Sequence, residues 1–505
     1  MKSGQVILAV DSGTTSCRTL AFDHNGQILA TEQLPLTQHF PEDGWVEHDA
    51  VEIWLNTLKT IRGAIQTCKD IHQTPIAIGI TNQRETVIVW DRETGTPIHK
   101  ALVWQDRRTA DFCNKLSEEG LTEEVQGATG LLLDPYFSAS KIAWILDKVP
   151  GARERAEKGE LACGTVDSYI IWQLTGGEKH LTDETNASRT SLYNIHEGNW
   201  DERMLEIFNV PASLLPNVLP SMADFGKADI ETLGVSLPIC GVAGDQQAAS
   251  FGQGCFEAGM SKATYGTGCF VLVNTGNTPV TSSHKLLTTI ACRAGGDVQY
   301  AVEGSIFIAG AVVQWMKERM QLVEASGDTE ELAAALESNR GVYLVPAFTG
   351  LGAPHWDSEA RGAVFGLRRE TGKRTMVRAG LESVAYQTHD LVSALQADGF
   401  ELSALRVDGG MSQNNWLMQF LSDVLQMPVE RSSTIESTAL GVAMLAGLQV
   451  GFWKDQEDLR SCLGTTQTFP PKLDKTTRDQ QLAGWDVAVK SVRYHAQLTK
   501  EISGD

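Results

Sequence analysis

One hairpin, occurring twice, constrains this chain more than any other feature. Apolar runs at 6–10 and 19–22 flank a polar turn, Asp11-Ser12-Gly13-Thr14-Thr15-Ser16-Cys17, the pattern of two antiparallel strands. Roughly half a chain later the order returns as residues 261–265, then Gly266-Thr267-Gly268, then the apolar run 269–273. With 505 residues the chain exceeds what one hydrophobic core serves, and a repeated unit of this kind points to internal duplication. The expectation is two related α/β domains facing one another, 1–253 and 254–505. Helical periodicity agrees: Trp416, Phe420 and Val424 with Leu417, Leu421 and Leu425 form an i, i+4 face directly after an apolar strand at 405–407. The more polar stretch 459–505, punctuated by Pro470-Pro471, reads as a surface extension of the second domain.

Charge narrows the function classes. Against 42 Lys+Arg stand 63 Asp+Glu, a net charge of −21 that opposes broad attraction to nucleic acid or an anionic membrane. Anionic substrates must then be held locally. The opening Met1-Lys2-Ser3 and the apolar run after it lack the basic flank and cleavage pattern of a signal peptide. No apolar stretch approaches the roughly 20 residues of a membrane span; the nearest, 440–453, is shorter and broken by Gln449. A soluble, cytoplasmic protein is expected. Nine scattered cysteines without a Cys-x-x-Cys pair read as reduced structural thiols, and the sequon Asn186-Ala187-Ser188 is discounted in that compartment.

The first turn supplies what a polyphosphate needs: a glycine, successive backbone amides, the hydroxyls of Thr14, Thr15 and Ser16, and a nearby cation, Arg18. Asp11, ending the first strand, suits Mg²⁺ held through water. A plain tight turn capped by Asp explains the same residues. The second turn, Gly266-Thr267-Gly268, favours the phosphate reading, because two hairpins closing on one nucleotide form a clamp. The nearest P-loop match, 366–374, has the wrong spacing and no terminal Ser or Thr. Asp408-Gly409-Gly410, followed by Asn414, ends a strand where backbone can lie against an adenine or ribose, or where Asp simply caps a helix. Gly244-Asp245-Gln246-Gln247 places a carboxylate and two amides after an apolar strand, a position from which Asp245 can take a proton from an attacking hydroxyl. Arg84 and Glu85 follow another apolar strand and suit adjacent hydroxyls, unless they are a surface ion pair. Trp104, Tyr136 and Phe270 offer an apolar wall for a short carbon chain, or are ordinary core. Ser138-Ala139-Ser140-Lys141 hints at a serine hydrolase motif whose companion motifs are missing.

Longer stretches carry a resemblance: DSGTTSCR from Asp11, GWVEHD from Gly44, GITNQRET from Gly79, TNASRT from Thr185, GDQQAA from Gly244, YGTGCF from Tyr265 and PAFTGLGAPHWD from Pro346. Through them the chain resembles, almost end to end, the FGGY carbohydrate kinases of the actin/hexokinase/Hsp70 ATPase superfamily, and within them the branch that phosphorylates glycerol. The resemblance implies two actin-like (ribonuclease H-like) domains with an active-site cleft between them. It implies ATP and Mg²⁺ as cofactors, and sn-glycerol 3-phosphate as product, feeding glycerol catabolism and glycerolipid synthesis. Arg84, Glu85, Tyr136, Asp245 and Gln246 would meet the glycerol hydroxyls, with Trp104 and Phe270 on its carbons and Asp245 as general base. Thr14, Thr15, Ser16, Arg18, Thr267, Gly310, Gln314, Gly410 and Asn414 would hold the nucleotide, and Asp11 the metal. A homodimer or homotetramer is implied.

Some positions depart from the family pattern. Ser12 stands where Gln is usual and His355 where an aromatic is common. The region 228–238 lacks the Arg with which some relatives bind fructose 1,6-bisphosphate, and 221–226 lacks the histidine phosphorylated in others, so both controls are expected to be weak or absent. A kinase of the same fold for another polyol or a pentulose, and a non-enzymatic actin-like ATPase, remain as alternatives.

Overall fold

The structure, a computed structural model, describes residues 4–433 and 436–503. Met1-Lys2-Ser3, used above against a signal peptide, and the last two residues of the 459–505 stretch lie outside these. The first turn is tighter than the sequence suggests. Strands Gln5–Ser12 and Ser16–Phe22 pair antiparallel with Asp11 opposite Arg18 and Ser12 opposite Cys17, which leaves Gly13-Thr14-Thr15 as the turn. Its closing bond runs from the Gly13 amide to the Ser16 carbonyl, 3.0 Å. Polar Asp11 and Ser12 join the strand because its ladder with Thr74–Asn82 runs on to Asn82.

Around this hairpin lies a six-stranded sheet in the order Ile28–Pro35, Ser16–Phe22, Gln5–Ser12, Thr74–Asn82, Leu237–Gly244, Lys227–Ala228. The first three strands pair antiparallel in succession, the next two join parallel, and the last returns antiparallel. The second half repeats this order and these directions with Gln299–Ile306, Cys269–Gly276, Ser261–Tyr265, Leu405–Asp408, Val429–Ser432 and Thr466–Phe469, adding Leu287–Ala291 at the outer edge. The two hairpins seen in the sequence therefore occupy equivalent places in two copies of one sheet. Parallel strands need crossover segments, and helices supply them, among them Ala50–Asp70 in the first copy and Asn415–Leu425 in the second.

The halves interlock. Helix Ser437–Gln449 comes late in the chain, yet Leu440, Val442, Met444 and Leu445 are fully buried in a cluster with Ile7, Ala9 and Leu20 of the first sheet. Each such side chain contributes about 1.5–3 kcal/mol, enough to hold this late helix on the first sheet. Conversely, the outer strands of the second sheet bond to the first half: the Ser188 and Thr289 hydroxyls at 2.9 Å, the Tyr300 hydroxyl to the Ile195 carbonyl at 2.9 Å, and the Gln247 amide to the Ile290 carbonyl at 3.2 Å. Among the described residues no helix is long and apolar enough to cross a membrane, and all nine cysteines are free and buried. Asn186 is buried and bonded to Asn82 and Asp183, closing the sequon. The C-terminal stretch is a correction to the sequence reading. Helix Lys475–Ser503 carries a narrow core stripe, with Trp485, Ala488, Val489 and Val492 buried and the Trp485 indole donating to Asp390 at 2.8 Å. Polar residues on its outer face dilute the composition and mask that stripe.

Candidate active site

Where the sheets face each other, the ends of Thr74–Asn82 and Leu237–Gly244 carry Arg84, Glu85 and Asp245 into one cavity of about 160 Å³. Thr14, Trp104, Tyr136, Gln246, Thr264, Gly266, Thr267, Gly268 and Phe270 complete its lining. Arg84 and Glu85 are 2% and 1% exposed, so they are no surface ion pair. Glu85 has φ of +61°, a left-handed conformation unusual for a residue with a side chain; such strain costs about 1–3 kcal/mol and tends to persist at functional sites. Gly244 precedes Asp245 because the stem of Arg84 passes it: a Cβ there would lie 2.7 Å from the Arg84 Cγ and Cδ. Trp104 meets Tyr136 and Phe270 edge to face, with ring centroids 5.8 Å and 6.0 Å away. Its indole N–H donates to the Thr14 hydroxyl at 3.0 Å and so ties this wall to the first turn. Tyr136 is held from behind by the buried Lys141, whose ammonium donates to the carbonyls of Pro135 and Tyr136 at 2.6 Å and Phe137 at 3.1 Å. Burial brings Lys141 down to about 8. That bonding leaves the Ser138–Lys141 segment no hydrolase role.

The cavity floor is a cluster of charges. Arg84 donates to both oxygens of Glu303, at 2.6 and 3.1 Å, and to the Gln247 side-chain oxygen at 3.1 Å. Its Nε lies 3.2 Å from Asp245 and 3.9 Å from Glu85. Arg189 donates to Glu85 at 2.6 Å and to Glu303 at 2.9 Å. Burial opposes the charge of Glu303, but Arg189 and Arg84 more than offset it and hold this carboxyl down at about 2. Asp245 differs. Its side chain is 31% exposed, facing the cavity it lines, and burial pushes it up to about 6 while Arg84 pulls it back. Asp245 is thus ionised at neutral pH yet basic enough to accept a proton. Burial, reinforced by Glu85, raises the Tyr136 hydroxyl well above its usual range, so it serves as a donor. Lys262, lowered by burial, donates to Gln246 at 2.6 Å and Thr264 at 2.9 Å, fixing the Gln246 amide.

A second cavity of about 460 Å³ lies in the second half, lined by Gly266, Thr267, Gly310, Gln314, Gly410 and Asn414 together with Tyr265, Val313, Leu381, Met411, Gln413 and the segment Ser326, Gly327, Thr329, Glu330. Gly266 and Thr267 line both cavities and form the partition between them. Gly310 opens helix Gly310–Glu318 with its amide on the Gly266 carbonyl at 2.9 Å, and a Cβ there would come 2.5 Å from that oxygen. Asn414 caps helix Asn415–Leu425, accepting from the Leu417 amide.

The remaining phosphate-turn residues sit differently. Thr15 and Ser16 line neither cavity: the Thr15 carbonyl accepts from Leu36, and the Ser16 hydroxyl accepts from Gln33, because the second strand already begins at Ser16. Arg18 bridges Asp11 and Glu436, tying the first hairpin to the start of helix Ser437–Gln449. Among the described residues no three His, Cys, Asp or Glu converge as a metal cage. A single carboxylate, Asp11, paired with Arg18 at the end of the first strand, fits Mg²⁺ that arrives on nucleotide phosphates and keeps most of its water. Glu303, Arg189, Lys262 and the 326–330 segment escaped the sequence reading. A lone carboxylate within the apolar strand Tyr300-Ala301-Val302-Glu303 was the one available signal, since a buried charge needs a partner.

The sequence profile of the FGGY family of carbohydrate kinases, N-terminal domain, matches residues 6–252, and that of its C-terminal domain matches residues 261–450. Glycerol kinase of Ectopseudomonas mendocina (strain ymp) is 57% identical over 488 residues, covering 96% of this chain and 99% of its own. Glycerol kinase of Petrotoga mobilis is 52% identical, covering 96% and 98%. Among solved structures, Plasmodium falciparum glycerol kinase with ADP superposes with a TM-score of 0.90 at 38% identity, covering 97% of this chain and 98% of its own. A ligand-bound xylulose kinase from Lactobacillus acidophilus, at 20% identity, TM-score 0.83 and coverage of 99% and 98%, shares the fold.

Proposed function

The chain belongs to the FGGY family of carbohydrate kinases, and we propose that it transfers the γ-phosphoryl group of ATP to a terminal hydroxyl of glycerol, giving sn-glycerol 3-phosphate. One observation carries the reading: a cavity of about 160 Å³, sized for a three-carbon polyol, brings Arg84, Glu85 and Asp245 opposite an aromatic wall and shares the Gly266–Thr267 partition with a larger cavity of nucleotide size. Relatives at 52–57% identity over nearly the whole chain bear the glycerol kinase name.

In this reading Arg84, Glu85, Tyr136 and Gln246 bind the hydroxyls, and Trp104 and Phe270 cover the carbon chain. Asp245 takes the proton of the attacking hydroxyl, a contribution of about 10²–10⁴ in rate. Adenosine lies along Gly310, Gln314, Gly410 and Asn414. The phosphates reach past Thr267 toward Thr14, with Thr15, Ser16 and Arg18 behind that turn. Asp11 would hold a nucleotide-bound Mg²⁺ through water, and the ion would supply neutralisation of the phosphate charge. Substrate-driven approach of the domains excludes water, which would otherwise compete as the nucleophile. A cytoplasmic homodimer or homotetramer accompanies this reading.

A coupled ADP-release assay with MgATP across glycerol, dihydroxyacetone, xylulose, ribulose and gluconate tests it. Strong preference for glycerol, with little ADP released in its absence, is expected. Preference for a pentulose would overturn the acceptor, and release indifferent to every acceptor would overturn the kinase reading.

A further inference from the structure

We propose that Glu303, on a strand of the second domain, is a positioning residue for the acceptor site: it holds the guanidinium groups of Arg84 and Arg189 so that Arg84, Glu85 and Asp245 present fixed atoms to the substrate. The charges alternate along a chain Glu85, Arg189, Glu303, Arg84, Asp245, with contacts of 2.6, 2.9, 2.6 and 3.2 Å. Both terminal nitrogens of Arg84 are taken by Glu303, one of them shared with Gln247. Only its Nε edge then faces Asp245 and Glu85. The Ser305 hydroxyl donates to Glu303 at 3.2 Å and steadies it.

Stability does not account for this cluster. Arg84, Arg189, Glu85 and Glu303 have side chains 2% exposed or less. Buried ion networks of that kind are often no more stabilising than well-packed apolar replacements. Their position accounts for it better: Arg189 and Glu303 lie behind the cavity, and the chain they complete runs out on both sides to groups that line it, Glu85 on one and Arg84 and Asp245 on the other. Rigid carboxylates and a rigid guanidinium matter there, because a misplacement of about 1 Å lowers reaction rates on the order of 100-fold. Glu303 comes from the second domain while Arg84 and Arg189 come from the first, so the acceptor site is complete only when the domains are docked. The charged groups facing Glu303 are Arg84, Arg189 and Lys262; those facing Asp245 are Arg84, Glu85, Lys262 and Asp11.

The pH part of the test rests on Asp245 being the base; the affinity part does not. In Glu303→Gln, the KM for glycerol is expected to rise about tenfold or more while the KM for MgATP stays within about twofold. Arg84, released from Glu303, should pair more closely with Asp245 and keep it ionised, so the acid limb of kcat moves to lower pH. Glu303→Asp retains the charge but reaches less far; it should leave the acid limb in place and raise the glycerol KM by a smaller factor. A folded Glu303→Gln with wild-type glycerol KM and acid limb would overturn the proposal. If that variant does not fold, wild-type glycerol KM in Glu303→Asp overturns it equally. Asp245→Asn, assayed alongside, separates the two readings: turnover retained there strikes the base assignment, whereas the effect of Glu303 on glycerol KM stands or falls independently.

Discussion

The two cavities on either side of the Gly266–Thr267 partition are built in opposite ways. The acceptor cavity, about 160 Å³, is lined by three charged side chains and three aromatics. The nucleotide cavity, about 460 Å³, is lined by four glycines and a single charged residue, Glu330. A small polyol offers only hydroxyls and a short carbon chain. Discriminating it takes polar side chains held at fixed positions, because a buried donor or acceptor left unpaired costs about 1–3 kcal/mol. A nucleotide offers a polyphosphate and a flat base, which backbone amides and glycine surfaces can accommodate without charged side chains. One cavity is therefore sensitive to what side chains carry, and the other to whether a side chain is present at all.

The sharpest break of that contrast is on the acceptor side. Asp245→Asn keeps the shape and removes the base, so kcat should fall on the order of 10²–10⁴ with little change in glycerol affinity; rapid quench with calorimetric glycerol binding checks both. On the nucleotide side the smallest side chain should suffice. Gly310→Ala places a methyl 2.5 Å from the Gly266 carbonyl, which must shift the turn, and the KM for ATP should rise about tenfold while glycerol affinity is retained. Steady-state kinetics in both substrates reads the split. Equal losses for both substrates in either variant would mean the cavities are not separable in this way.

The same difference governs what could be read from the sequence. Arg84, Glu85 and Asp245 stand immediately after apolar strands, and the structure brings all three into one cavity. The paired hairpins were legible because turn residues and apolar runs are local features, and they led to the duplicated sheet. Glu303 and Arg189 were not, since their meaning lies in partners more than a hundred positions away, joined only by topology. Ser326 and Gly327, with Thr329 and Glu330 in the first turn of the helix Asp328–Ala334 that follows them, carry no motif and enter this cavity through the path of the chain alone. Thr15 and Ser16 differ again, lining neither cavity. A hydroxyl-rich turn promised several phosphate ligands, but the strand claims Ser16 early and alternation turns it toward Gln33. Composition also hid the buried stripe of the last helix, where Trp485 is core despite polar neighbours.

The central claim is that Asp245 is a carboxylate poised between charge and neutrality inside an otherwise fully compensated cluster. Its pKa is raised to about 6, so the active, ionised form predominates above that pH and is lost as pH falls through it. The direct measurement is kcat at saturating glycerol and MgATP between about pH 5 and 8, with thermal unfolding followed in parallel to exclude acid unfolding. The predicted result is a plateau near neutrality and a decline of about tenfold per unit below about pH 6, with no such limb in the residual activity of Asp245→Asn. A wild-type rate that stays flat through this range, or an Asp245→Asn variant with the same limb and near-normal turnover, would contradict it.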